Sequence, residues 1–166
     1  GGALTGTING NSGDDTISFA APRTQAANVN LGRLVSIETL IGSSANDTLT
    51  AAAGGTNFVV NGANTGTAQN AGSADVIQFS TFENLAGAAG NDSFTFNTGG
   101  SLASSVDGGT GMNSLVLTDG DDTIDLSGVS SSVGYSGTAT GTTGFSNITS
   151  LNARSGQNVL TGLNVA

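Results

Sequence analysis

Two pairs of adjacent carboxylates, Asp14-Asp15 and Asp121-Asp122, are the residues of this chain whose types and spacing suggest chemistry. Two carboxyl groups held about 5 to 10 Å apart can act as acid and base in glycoside cleavage. Adjacent residues on an extended strand point to opposite faces, so neither pair aims both groups at one substrate. No cationic partner lies nearby in sequence. All three basic residues are arginines, Arg23, Arg33 and Arg154, and they read as surface ion-pair partners. Tyr135 is the only tyrosine and tryptophan is absent, so aromatic platforms for sugar rings are scarce. With no histidine and no cysteine there is no imidazole base, thiol nucleophile, zinc-thiolate site or disulfide. The chain reads as a non-enzyme, and no catalytic or cofactor-binding residue is assigned.

The elements that carry these carboxylates come from an unusual composition. Of 166 residues only 9% are charged, 27 are glycine, and the net charge is −9. Typical globular chains are about 25% charged. An acidic chain with three scattered arginines lacks the basic footprint that nucleic acid requires. No apolar run approaches the roughly 20 residues of a membrane-spanning helix. Disorder is disfavoured as well, because Val, Ile, Leu and Phe recur throughout and only one proline is present.

The apolar residues come in short groups: Ile17-Ser18-Phe19, Phe58-Val59-Val60, Val76-Ile77-Gln78-Phe79, Phe94-Thr95-Phe96, Leu115-Val116-Leu117 and Ile124-Asp125-Leu126. Most alternate with polar residues, and Gly, Asn, Asp and Ser lie between them. No stretch holds a helical period. The Thr-rich stretch Thr138-Ala139-Thr140-Gly141-Thr142-Thr143 reads as a loop.

A longer unit repeats. Ile37-Glu38-Thr39-Leu40-Ile41-Gly42 leads into Asn46-Asp47-Thr48-Leu49, and Phe82-Glu83-Asn84-Leu85-Ala86-Gly87 leads into Asn91-Asp92-Ser93-Phe94. Ile148-Thr149-Ser150-Leu151 leads in the same way into Gln157-Asn158-Val159-Leu160. The copies are unequally spaced, but the distance from Ile37 to Asp47 recurs from Phe82 to Asp92 and from Ile148 to Asn158. Glu38 and Glu83 share a repeat position, where stacked carboxylates would repel unless offset or solvated. A fixed turn-strand unit with variable spacers suits stacked coils that share one core. The predicted fold is all-β, a parallel β-helix (β-solenoid) of roughly six to eight short coils without a capping helix, forming a single segment over residues 1–166. A β-sandwich is the competing architecture, and it leaves the recurring Asn-Asp-Thr turn unexplained. Ile17, Leu49, Ile77, Phe94, Leu115, Ile124 and Leu160 are the expected interior.

These repeats resemble those of very large secreted bacterial β-solenoids, the adhesin-like and filamentous-haemagglutinin-like proteins. The resemblance implies a rod, stalk or fibre exported to the cell surface. A more distant likeness is to the calcium-binding nonapeptide repeat, G-G-x-G-x-D-x-U-x with U apolar. Gly108-Gly109-Thr110-Gly111-Met112-Asn113-Ser114-Leu115-Val116 matches it except at Asn113, and the next nine residues keep Gly120, Asp122 and Ile124. That family holds Ca²⁺ between consecutive turns through carboxylate and carbonyl oxygens. Several intact tandem copies are needed, so no metal site is assigned. Asp119, Asp121 and Asp122 are the candidates in the alternative Ca²⁺-binding reading.

Both ends, Ala3 to Ile8 and Asn158 to Val165, look like strands in mid-repeat with no edge-covering device. The expected partner is therefore the protein itself, by end-to-end stacking or by continuation in a longer chain.

Overall fold

A computed structural model describes residues 6–22, 24–130 and 134–162. Arg23 and the outermost residues of the two terminal segments lie outside this range. The described residues form eighteen strands and a single 3₁₀ turn at Leu31–Arg33, with no α-helix among them.

The strands alternate between two eight-stranded sheets. The first contains β2 (Thr16–Ser18), β5 (Thr39–Ile41), β7 (Thr56–Gly62), β8 (Thr65–Asn70), β9 (Ile77–Ser80), β11 (Ser93–Phe96), β13 (Ser114–Val116) and β17 (Ser150–Asn152). The second contains β3 (Asn28–Asn30), β6 (Thr48–Thr50), β10 (Asn84–Ala86), β12 (Ser105–Asp107), β14 (Thr123–Ser130), β15 (Gly134–Ala139), β16 (Thr142–Ile148) and β18 (Val159–Gly162). A small parallel pair joins β1 (Ile8–Asn9) to β4 (Leu34–Val35).

Neighbouring strands are mostly parallel. The antiparallel steps are two three-stranded excursions, β7-β8-β9 in the first sheet and β14-β15-β16 in the second. After each excursion the chain returns beside an earlier strand: β9 pairs with β5, and β16 pairs with β12. Each interval between sequence repeats holds one excursion, and the longer interval also holds β12 and β13. The Thr-rich stretch expected as a loop instead ends β15, turns at Thr140-Gly141 and begins β16. Gly141 supplies the left-handed backbone that the tight turn needs, with φ of +87°.

In-register parallel pairing places equivalent side chains in rows. In the second sheet the inward row runs Val29, Leu49, Leu85, Val106, Phe145. In the first sheet one inward row runs Phe58, Phe94, Leu115, Leu151. The Phe58 and Phe94 rings stack 5.2 Å apart and nearly parallel. All these rows belong to one apolar cluster. Of the expected interior residues, Leu49, Ile77, Phe94, Leu115 and Ile124 are buried, and Ile17 is partly buried. Leu160 is a correction, because it is 64% exposed. It continues the row of Ile124 on β18, and among the described residues β18 pairs only with β14. Among the described residues no strand lies on its outer side.

Candidate functional site

The recurring Asp and Asn residues sit where a turn hands the chain to a strand. Gly111-Met112-Asn113 shows the local logic. Gly111 has φ of +104°, and a Cβ there would meet the Gly90 carbonyl of the neighbouring turn at 1.9 Å. Only glycine lets the two turns stack. The residue after the turn then folds its side chain back over the corner. Asp47 is the fullest case and is wholly buried. Its Oδ1 accepts the backbone N–H of Ala27 on the adjoining strand, and its Oδ2 accepts the N–H of Ser43. The Ser43 hydroxyl adds a hydrogen bond of 2.8 Å. Asp92 repeats the arrangement, taking N–H groups from Thr56 at 2.7 Å and Ala88 at 3.2 Å. Burial raises the Asp92 carboxyl above the ordinary aspartate range, and these two N–H donors partly oppose that shift.

Gly42 makes room for this carboxylate. A Cβ on it would lie 2.1 Å from the Thr81 carbonyl oxygen and 2.6 Å from Asp47 Oδ2.

The corner residues form a ladder with a direction. Asp15 N–H donates to Glu38 Oε2 at 2.7 Å, and Asp47 N–H to Glu83 Oε2 at 2.8 Å. Asp92 N–H donates to Asn113 Oδ1, and Asp122 N–H to Asn158 Oδ1, each at 3.0 Å. In every rung the earlier strand donates and the later strand's side chain accepts. The first N–H of a strand has no partner in its own turn, and a buried unpaired N–H costs about 1–3 kcal/mol. The ladder supplies that partner. Glu38 and Glu83 are rung residues too, a role the sequence reading missed. Their signal was their place just before a strand, shared with Asp47 and Asp92. Glu38 precedes β5 of the first sheet and Glu83 precedes β10 of the second, so the two carboxylates do not stack on each other.

The three metal candidates have separate occupations. Asp119 Oδ2 lies 3.4 Å from the Arg154 guanidinium, an exposed ion pair of little energetic weight. Asp121 Oδ1 accepts the Gln157 N–H of the next turn at 2.7 Å, as Asn91 Oδ1 accepts that of Met112 at 2.9 Å. Asp122 is buried and takes the Thr118 hydroxyl on Oδ1 at 3.1 Å. Its Oδ2 is buried without a hydrogen-bond partner, as is Asp15 Oδ2. Among the described residues no group of three or more acidic side chains is arranged to hold a metal ion. In the other carboxylate pair Asp14 is exposed and Asp15 half-buried. Each pair thus has one member turned outward and one turned in. Compared with protein-family models, curated proteins and solved structures, the chain finds no match in any of the three.

Proposed function

We propose that this chain is a β-solenoid segment with a mechanical role, part of an extracellular bacterial adhesin, fibre or filament. One observation carries the reading. Among the described residues the polar ladder and the apolar rows run from strand to strand through both long sheets. Interactions that each link only neighbouring turns are the signature of a stack whose length is its product. Eight strands per sheet at about 4.8 Å spacing give a stack of roughly 35–40 Å. The secreted, bacterial part of the reading rests on the likeness of the repeats and on the absence of cysteine.

Small-angle scattering of the protein tests the rod, and labelling of intact source cells with an antibody against it tests surface display. A compact, near-spherical particle, or a chain confined to the cytosol, would refute the proposal. The alternative is a Ca²⁺-binding module, favoured by the unpartnered Asp122 Oδ2. Melting with and without chelator separates the two. The rod reading expects no change, and a fall of more than about 10 °C would favour the Ca²⁺ module, since it implies a tightly held ligand in the native state.

A further inference from the structure

The two antiparallel excursions share one construction. Val60 and Phe79 face the same residue of their middle strand, Gly66, and Leu126 and Phe145 face Gly137. Each pair is 19 residues apart, and the second pair lies 66 residues after the first. Both glycines open the same tripeptide, Gly66-Thr67-Ala68 and Gly137-Thr138-Ala139. A Cβ on Gly66 would lie 2.1 Å from the Val59 carbonyl oxygen, and one on Gly137 would lie 2.1 Å from that of Asp125. The missing side chain lets each middle strand close on the strand before it. The two alanines face Phe58 and Ile124, and all four residues are buried.

Each excursion lengthens one sheet only. From β9 to β11 the first sheet takes three steps, through β8 and β7, while the second goes from β10 to β12 in one. From β11 to β13 the first sheet takes one step, while the second goes from β12 to β14 in three, through β16 and β15. At about 4.8 Å per step, the first sheet is ahead by about 10 Å at β11 and level again at β13. The segment that joins β11 to β12, residues 97–104, carries the chain back across this offset, and it is bonded to both excursions. Toward the first, Asn97 N–H donates to the Val60 carbonyl at 2.9 Å, Ser101 N–H to that of Gly62 at 3.2 Å, and Ala103 N–H to Asn64 Oδ1 at 2.8 Å. Toward the second, Leu102 N–H donates to the Gly141 carbonyl at 2.7 Å, and the Ser104 carbonyl accepts Thr143 N–H at 3.1 Å.

We propose that the excursions are a compensating pair, one module used once in each sheet, with residues 97–104 as the coupling between them. This rests on the rod reading and says what keeps the rod straight. The first excursion pushes one face of the stack ahead by two strands, and the second advances the other face by the same amount. Their placement follows from counting crossings. With each excursion taken as one strand, the chain crosses between the sheets five times from β9 to β14. An odd number puts the second module in the opposite sheet. An even number would put both in one sheet and leave the stack curved.

Deletions in the full chain test the pairing. Removing residues 61–79 joins Val60 to Ser80 and leaves one strand for three: Val60 keeps Phe96 and takes the place of Phe79 beside Leu40. Removing residues 127–145 joins Leu126 to Ser146: Leu126 keeps Gly162 and takes the place of Phe145 beside Val106. Each single deletion should lower the melting temperature by more than about 10 °C, and the double deletion should melt above both singles. A double deletion whose loss equals or exceeds the sum of the singles overturns the compensation. A substitution tests the coupling without removing a strand. Asn64→Gly keeps the left-handed backbone there, with φ of +52°, and removes the acceptor of Ala103 N–H. Amide exchange at Leu102 and Thr143 should then quicken at least about tenfold relative to Leu49 on β6, which pairs with neither excursion. Unchanged exchange at both sites overturns the proposal, whether or not the deletion variants fold. Scattering of the protein judges the rod separately: a compact particle removes the rod reading, while the melting and exchange results still decide the pairing.

Discussion

Asp47 and Asp122 are buried to almost the same degree, 0% and 1% exposed, yet replacing each by alanine should have unequal consequences. Asp47→Ala deletes the acceptor of two backbone N–H groups, those of Ala27 and Ser43, and of the Ser43 hydroxyl. Hydrogen bonds to a charged group are worth about 1.5–3 kcal/mol each, and a stranded buried N–H adds to the loss. Against this, the variant no longer desolvates a carboxylate. The expected net loss is about 3–5 kcal/mol. Asp122→Ala deletes one hydroxyl partner, Thr118, and removes an oxygen that is buried with no partner at all. The two effects oppose each other, and the expected loss is about 0–2 kcal/mol. Urea unfolding followed by circular dichroism measures both, with the variants compared at an unchanged denaturant slope. The reasoning fails if Asp122→Ala costs as much as Asp47→Ala, since burial rather than ladder membership would then set the penalty. A loss below about 1 kcal/mol at Asp47 would refute the ladder's structural role outright.

Three further outcomes are expected. Phe94→Ala empties a wholly buried position and removes the ring stacked on Phe58, so unfolding measurements should show a loss of about 3–5 kcal/mol. Gly42→Ala forces a Cβ against the Thr81 carbonyl and Asp47 Oδ2, whereas Gly54→Ala meets nothing within 4 Å. The first should lower the melting temperature markedly and the second leave it almost unchanged; equal shifts would contradict the close approach. Asp92 has a raised carboxyl pKa in the folded state, so the stability its neutral form contributes is present below the unfolded pKa and is lost as pH rises through the folded value. Asp92→Asn does not ionise, so its stability relative to wild type should improve as pH rises from acid to neutral. A relative stability that worsens over that range would show the sign to be wrong.

The turn glycines and the Asp or Asn residues two positions later were legible because they answer to local rules. A left-handed turn needs glycine, and a corner N–H needs a short polar acceptor. The alternation of Leu49 with Thr48 and Thr50 likewise reports one inward and two outward positions on a strand, whatever the strand's neighbours. What the sequence concealed depends on neighbours. Glu38 and Glu83 carry the same signal as Asp47, yet their acceptor role appears only when β2 and β6 lie beside them. The two antiparallel excursions were hidden for the same reason. Strands β7 and β11 look alike in sequence, and pairing alone makes one the start of a meander and the other a simple step. Leu160 was misplaced because its pattern is that of Ile124, while its burial requires a strand on its far side. Where strands pair in register, each residue's own chemistry fixes the turn it makes, and the neighbouring strand decides whether that residue is core or ladder. Among the described residues β18 pairs with β14 alone, and Leu160 is exposed there although its pattern matches that of buried Ile124.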